Sequence, residues 1–154
     1  MNDLCADIGY KSINHYGEEL CGDHVDVVEQ DEKESHLRKI LNYGHTIGHG
    51  FESAANGKYL HGECVALGML FMSGETVQKQ LLDIYKKIGF AVPKLTEFDM
   101  EAVKGAILHD KKANDQSCSV VFVDEIGRGQ IEEWPMQQVM DRLEGGTVEE
   151  CIWK

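Results

Sequence analysis

The chain has 154 residues, 42% of them apolar and 27% charged, which is about one globular domain with enough apolar mass for a buried core. A net charge of −12 leaves no broad basic surface for phosphate backbones, which argues against a nucleic-acid partner. No stretch reaches the roughly 18–20 apolar residues of a membrane span, and Met1 to Tyr10 lacks the basic flank and apolar run of a signal peptide. The five cysteines are odd in number, widely spaced and without a C-x-x-C pair, the usage of a reduced compartment, so a cytoplasmic location is expected.

In chain order, residues 1–14 carry no clear period and read as a lead-in segment. From His15 to about Glu32, Leu20, Val25, Val27 and Val28 fit a helix better than a strand, and Asp31-Glu32-Lys33-Glu34 reads as a solvated surface. Gly44 to Asn56 is helical in pattern, with Ile47, Phe51 and Ala54-Ala55 on neighbouring turns and Asn56-Gly57 as the stop. A second helix is predicted from His61 to about Gln80. Val65, Leu67, Met69, Phe71 and Met72 make it apolar nearly all round, so it should be buried among other helices. Leu81 to Ile88 continues as a short helix ending at Gly89. Asp99 to His109 reads as a capped amphipathic helix with Met100, Val103 and Ile107 on one side. Cys118 to Val123 is the one clear strand, with Gly127–Gly129 as a turn and Gln130 to Glu133 as its hairpin partner. Pro135 suits the first turn of a closing helix, Met136 to Leu143, stopped by Gly145-Gly146. Residues 147–154 form a tail. The expected fold is mainly α, a multihelical domain over residues 15–146 with one small β hairpin.

Three histidines carry the candidate chemistry. His45 and His49 are four residues apart, which on a helix puts both rings on one face. His61 opens the next helix after a glycine-containing turn, where it can fold back over that face. Neutral imidazole is a favoured ligand of zinc and similar ions, although H-x-x-x-H alone also describes two surface or capping histidines. A zincin protease is disfavoured, because Thr46 stands where H-E-x-x-H requires its glutamate base.

The residues around these histidines narrow the reading. Arg38-Lys39-Ile40-Leu41-Asn42-Tyr43-Gly44-His45-Thr46-Ile47-Gly48-His49 resembles the dehydroquinate synthase signature R-x-x-L-N-x-G-H-T-x-G-H. Val27-Val28-Glu29-Gln30-Asp31-Glu32-Lys33-Glu34 is similar to that family's V-V-x-x-D-E-x-E, and His61-Gly62-Glu63-Cys64-Val65-Ala66-Leu67-Gly68-Met69 to its H-G-E-x-V-A-x-G-M. Asp110-Lys111-Lys112 and Asp124-Glu125-Ile126-Gly127 resemble two further elements, so the likeness spans roughly residues 20–143. It implies the C-terminal, metal-binding portion of a sugar phosphate cyclase. His45 and His61 would be ligands of a catalytic zinc, and His49 a catalytic histidine beside the metal. Arg38 and Asn42 would hold substrate oxygens. One of Lys111 and Lys112, Lys112 slightly favoured, would pair with the acidic groups of an anionic sugar phosphate substrate. The implied reaction is a cyclisation with phosphate elimination on the shikimate pathway, assisted by NAD and zinc.

The departures from that pattern set further expectations. Gly127-Arg128-Gly129 lacks the third glycine of a dinucleotide fingerprint, so no NAD site is expected here and an N-terminal NAD-binding domain is the implied partner. The family's third zinc ligand, a glutamate in an upstream E-x-x-K element, has no counterpart. His24 stands where a substrate-binding lysine is expected, and is a weaker, pH-dependent cation. Standalone activity is therefore not expected. The alternatives are a 2-deoxy-scyllo-inosose synthase-like cyclase portion, or an orphan non-catalytic domain that binds metal or a partner. A homodimer is compatible with either.

Overall fold

A 3-10 turn at His36–Asn42 leads into helix α1 (His45–Ala55), in a computed structural model that describes residues 36–110 and 117–145, with the backbone alone at 36–38 and 110. Gly44 precedes α1 in the left-handed region at φ 77°, which its missing side chain permits, and Asn56 ends the helix at φ 50°. A short turn then reverses the chain into α2 (His61–Phe71). The first turn of α2 is fixed from the sequence beside it: the Glu63 carboxylate accepts the Leu60 N–H at 2.7 Å, satisfying one donor that a helix start leaves over. As the apolar pattern demands, every residue of α2 from Cys64 to Phe71 is buried.

The helix predicted from His61 to Gln80 is in fact two. α2 ends at Phe71, and α3 (Glu75–Lys87) absorbs the short helix expected at Leu81–Ile88. The break is made by long-range pairing. Strand β1 (Ser117–Glu125) donates its Val123 N–H to the Met72 carbonyl at 3.0 Å, and the Val123 carbonyl accepts the Gly74 N–H at 2.9 Å. The carbonyls freed at the end of α2 are then satisfied by side chains. Gln78 donates to Leu70 O at 2.8 Å and to Ser73 O at 3.2 Å, while Arg142 donates to Phe71 O at 2.8 Å and also to Ser73 O.

Helix α4 (Met100–Asp110) starts as expected behind Asp99, whose carboxylate accepts the Glu101 N–H at 3.0 Å. β1 and β2 (Arg128–Pro135) form a two-stranded antiparallel hairpin, longer at both ends than the sequence suggests, with Cys118 opposite Trp134 and Val121 opposite Ile131. Pro135 closes β2 instead of opening the last helix, α5 (Met136–Gly145). One core joins these elements, with Ile47 and Phe51 of α1, Leu67 and Leu70 of α2, Leu81 of α3, Ile107 of α4 and Leu143 of α5 essentially sealed from solvent. Among the described residues, five α-helices and one hairpin match the expected fold class. The helix predicted over 15–32, the lead-in and the tail lie outside the described residues.

Among these packings, the crossing of α1 with α2 positions the histidines. A Cβ on Gly48 would lie 2.8 Å from Val65 Cα, and one on Gly68 would lie 2.2 Å from the Gly44 carbonyl oxygen. Backbone therefore meets backbone, as two larger residues would not allow. Since α1 and α2 are joined by a tight turn and run back along each other, this close crossing also draws His61 toward the second half of α1.

Candidate metal centre

His45 opens α1, His49 follows one turn later on the same face, and His61 opens α2 opposite them. Their ring centres form a nearly equilateral triangle: His45–His49 5.6 Å, His45–His61 5.4 Å and His49–His61 5.4 Å. The point equidistant from the three centres lies ~3 Å from each, which is about where an ion sits when bonded to one ring nitrogen at 2.0–2.1 Å. The triangle expected from the spacing thus forms.

Two of the rings are anchored through Nδ1. His45 Nδ1 lies 3.2 Å from the Tyr43 carbonyl oxygen. A carbonyl only accepts, so Nδ1 carries the proton and Nε2 is left with a lone pair. Burial holds the His45 imidazolium below the usual histidine range, a shift opposed by the Tyr43 carbonyl and deepened by repulsion from His49 and His61. The neutral, ligating form is thereby favoured. His61 Nδ1 lies 2.8 Å from a carboxylate oxygen of Glu52, with both side chains about 40% exposed. His49 is the most open of the three.

Glu52 is the residue that sequence reasoning missed. It stands seven residues after His45 and three after His49, a spacing that places all three along one stripe of α1. Donor atoms of His49, Glu52 and His61 lie within 4.8 Å of one another, a grouping able to hold a metal ion. This differs from the pair His45 and His61 that the family likeness implies, yet the two overlap at His61 and share one face. Beside them a cavity of about 240 Å³ opens between α1 and α4, lined by Thr46, His49, Glu52, Ser53, Ala106 and Ile107.

The proposed substrate residues are placed less fully. Asn42 is exposed at the end of the 3-10 turn, three residues before His45. Arg38 lies on the same turn, where only its backbone is described. His24, Lys111 and Lys112 lie outside the described residues, the two lysines directly after the end of α4.

Known proteins resemble this chain both in sequence and in fold. The family described as 3-dehydroquinate synthase C-terminal matches residues 3–113. The chain is 39% identical over 136 residues to the 3-dehydroquinate synthase of Thermosynechococcus vestitus, covering 80% of this chain and 36% of that one. It is 43% identical over 110 residues to that of Ruminiclostridium cellulolyticum, covering 66% and 30%. The chain thus spans about a third of the length of the curated relatives it matches. In fold it is similar to 2-deoxy-scyllo-inosose synthase solved with carbaglucose-6-phosphate, NAD+ and Co2+, at a TM-score of 0.59 and 20% identity over 75% of this chain and 36% of the other. It is also similar to 2-epi-5-epi-valiolone synthase from Streptomyces hygroscopicus with NAD+ and Zn2+ bound, at 0.62 and 18% over 82% and 38%.

Proposed function

Because this chain belongs to the 3-dehydroquinate synthase C-terminal family, we propose that it is the metal- and substrate-binding portion of a 3-dehydroquinate synthase-like cyclase. The observation that carries this reading is the triangle of His45, His49 and His61, centred 5.4–5.6 Å apart. Its donor set suits a divalent cation of zinc type: three imidazoles, two of them with Nδ1 already hydrogen-bonded and Nε2 left to face the ion. When bound, such an ion supplies Lewis acidity, polarising a substrate oxygen. His45 and His61 hold it. His49, exposed at the mouth of the cavity, is in place to take or return a proton on a substrate hydroxyl.

Arg38 and Asn42, three to seven residues before His45, bind substrate oxygens. Lys111 or Lys112 and, more weakly, His24 meet its acidic groups. Fixing the anionic ends in this way presents that hydroxyl to His49 in one orientation. The two cyclases of similar fold that were solved with NAD+ are covered by this chain over only 36% and 38% of their length. We therefore assign NAD to the part of the relatives' length with which this chain does not align. On that reading the chain alone, given zinc, NAD and the sugar acid phosphate, releases no phosphate. Identities of 39% and 43% to dehydroquinate synthases favour that substrate over an inosose precursor.

The test is a calorimetric zinc titration of the 154-residue chain and of a His45→Ala, His61→Ala double variant. Zinc should bind the parent chain, and the double variant should lose at least two orders of magnitude in affinity. Undiminished binding by the double variant would refute the assignment.

A further inference from the structure

We propose that Glu52 is a positioning residue: it accepts the Nδ1–H of His61, fixes that tautomer, and so turns Nε2 toward the metal. The inference rests on the reading of His61 as a metal ligand and adds to it a residue that the motif does not single out.

The geometry has three parts. Glu52 Oε2 and His61 Nδ1 are 2.8 Å apart, a full hydrogen bond between two side chains on different helices. A carboxylate has acceptors only, so the shared proton resides on Nδ1, and in the neutral ring the other nitrogen carries the lone pair. His61 stands at the first position of α2, where no preceding turn of that helix constrains its ring, and no other side-chain hydrogen bond to it is seen among the described residues. His45, by contrast, is anchored by a backbone carbonyl of its own chain segment, at Tyr43. The two ligands are thus held alike, Nδ1 to an oxygen and Nε2 free, but the anchor of His61 comes from the neighbouring helix.

Chemistry supports the same assignment. Histidines that bind metals through one nitrogen regularly donate the other N–H to a carboxylate or carbonyl, which fixes the ring and strengthens the donor. A carboxylate already bonded to Nδ1 of His61 would have to break that bond to become a ligand itself. Glu52 also lies on the histidine stripe of α1, so the bond ties α2 to the helix that carries His45 and His49. The relative placement of the three rings is then held by a polar contact at one end and the glycine crossing at the other.

The experiment has two arms, on the full chain and on Glu52→Gln and Glu52→Leu variants confirmed as folded by circular dichroism. In the first arm, long-range proton–nitrogen NMR at pH 8 without metal reads the tautomer of His61 directly. The parent and Glu52→Gln, which keeps an accepting oxygen, should show Nδ1–H. Glu52→Leu should move toward the Nε2–H form. In the second arm, cobalt(II) absorbance titration reads metal affinity, with Glu52→Leu weakened 10- to 100-fold and Glu52→Gln by less than tenfold. An Nε2–H tautomer in the parent, or an unchanged tautomer and affinity in Glu52→Leu, overturns the proposal. So does a loss in Glu52→Gln as large as that in His61→Ala, which would make Glu52 a ligand. If the parent binds no cobalt, the metal reading fails and the NMR arm alone decides whether Glu52 positions the ring.

Discussion

Replacing Gly68 by alanine should loosen the helix crossing and the histidine triangle together. The new methyl would lie 2.2 Å from the Gly44 carbonyl oxygen and 2.7 Å from the Gly48 nitrogen, the two atoms that form the 2.8 Å hydrogen bond opening α1. Both are backbone atoms, so no rotamer change relieves the overlap, and the helices must part by about 1 Å. Overpacking of this kind costs about 3 kcal/mol at its upper end. Alanine recovers about 1 kcal/mol of helix propensity. The net loss is about 2 kcal/mol, a melting point lower by roughly 4–8 °C for a domain of this size. If the triangle holds zinc as proposed, moving His61 by about 1 Å from His45 and His49 also exceeds the ~0.2 Å tolerance of zinc bond lengths, so affinity should fall at least tenfold. The matched control is Gly105→Ala on α4, where a Cβ meets nothing within 4 Å. There only propensity changes, and stability should rise by about 0.5–1 kcal/mol. Thermal melts and zinc titrations of both variants decide the matter. A Gly68→Ala chain that melts at or above the parent and binds zinc equally well would refute the close-crossing argument.

Arg142→Met should cost about 2 kcal/mol, because it removes charged donors from the Phe71 and Ser73 carbonyls at the end of α2. A urea midpoint within error of the parent would count against that anchor. Asp99→Ala should cost ~1 kcal/mol through loss of the bond to the Glu101 N–H, read in the same urea series; Asp99→Asn should largely restore it. Burial pushes the Tyr43 phenol up to about 12, opposed by its hydrogen bond to Ser73, and burial raises Tyr85 further. The fold thus favours neutral phenols that the unfolded chain ionises near pH 10. Their contribution is whole below pH 10 and is lost as pH rises toward and through 12. Phenolate absorbance from these two should therefore grow only as helical ellipticity falls, and full ionisation of all five tyrosines in a still-helical chain would contradict their burial.

What the sequence disclosed, and what it withheld, follows from the range of the forces involved. The stop at Asn56-Gly57, the cap at Asp99 and the all-round apolar face of α2 are written in residues adjacent to the structure they cause, and each is found. The break at Met72–Gly74 is not written locally. Met69, Met72 and Val77 carry a helical pattern straight through it, and what stops the helix is pairing with Val123 from a distant strand. Glu52 was hidden for a related reason. A half-exposed glutamate on a helix ordinarily faces water, and its partner His61 reaches it only because α1 and α2 approach so closely.

That approach gives the motif G-H-x-x-G-H a physical reading in which its glycines and histidines are one device. Each glycine immediately precedes a histidine, so the stripe Gly44–Gly48 is turned about 100° around α1 from the stripe His45–His49–Glu52. One stripe has no side chains and receives α2, at Val65 and Gly68; the other carries the donors along the rim of the contact. On α2, Gly68 follows His61 by seven residues, two turns, so the position that permits the crossing and the proposed ligand lie on nearly the same line. A larger residue at 44, 48 or 68 would leave every histidine in the sequence and still enlarge the triangle. Ligand spacing by itself therefore says little about whether such a site forms, whereas ligand spacing together with glycine spacing specifies both the donors and the distance between the helices that bear them.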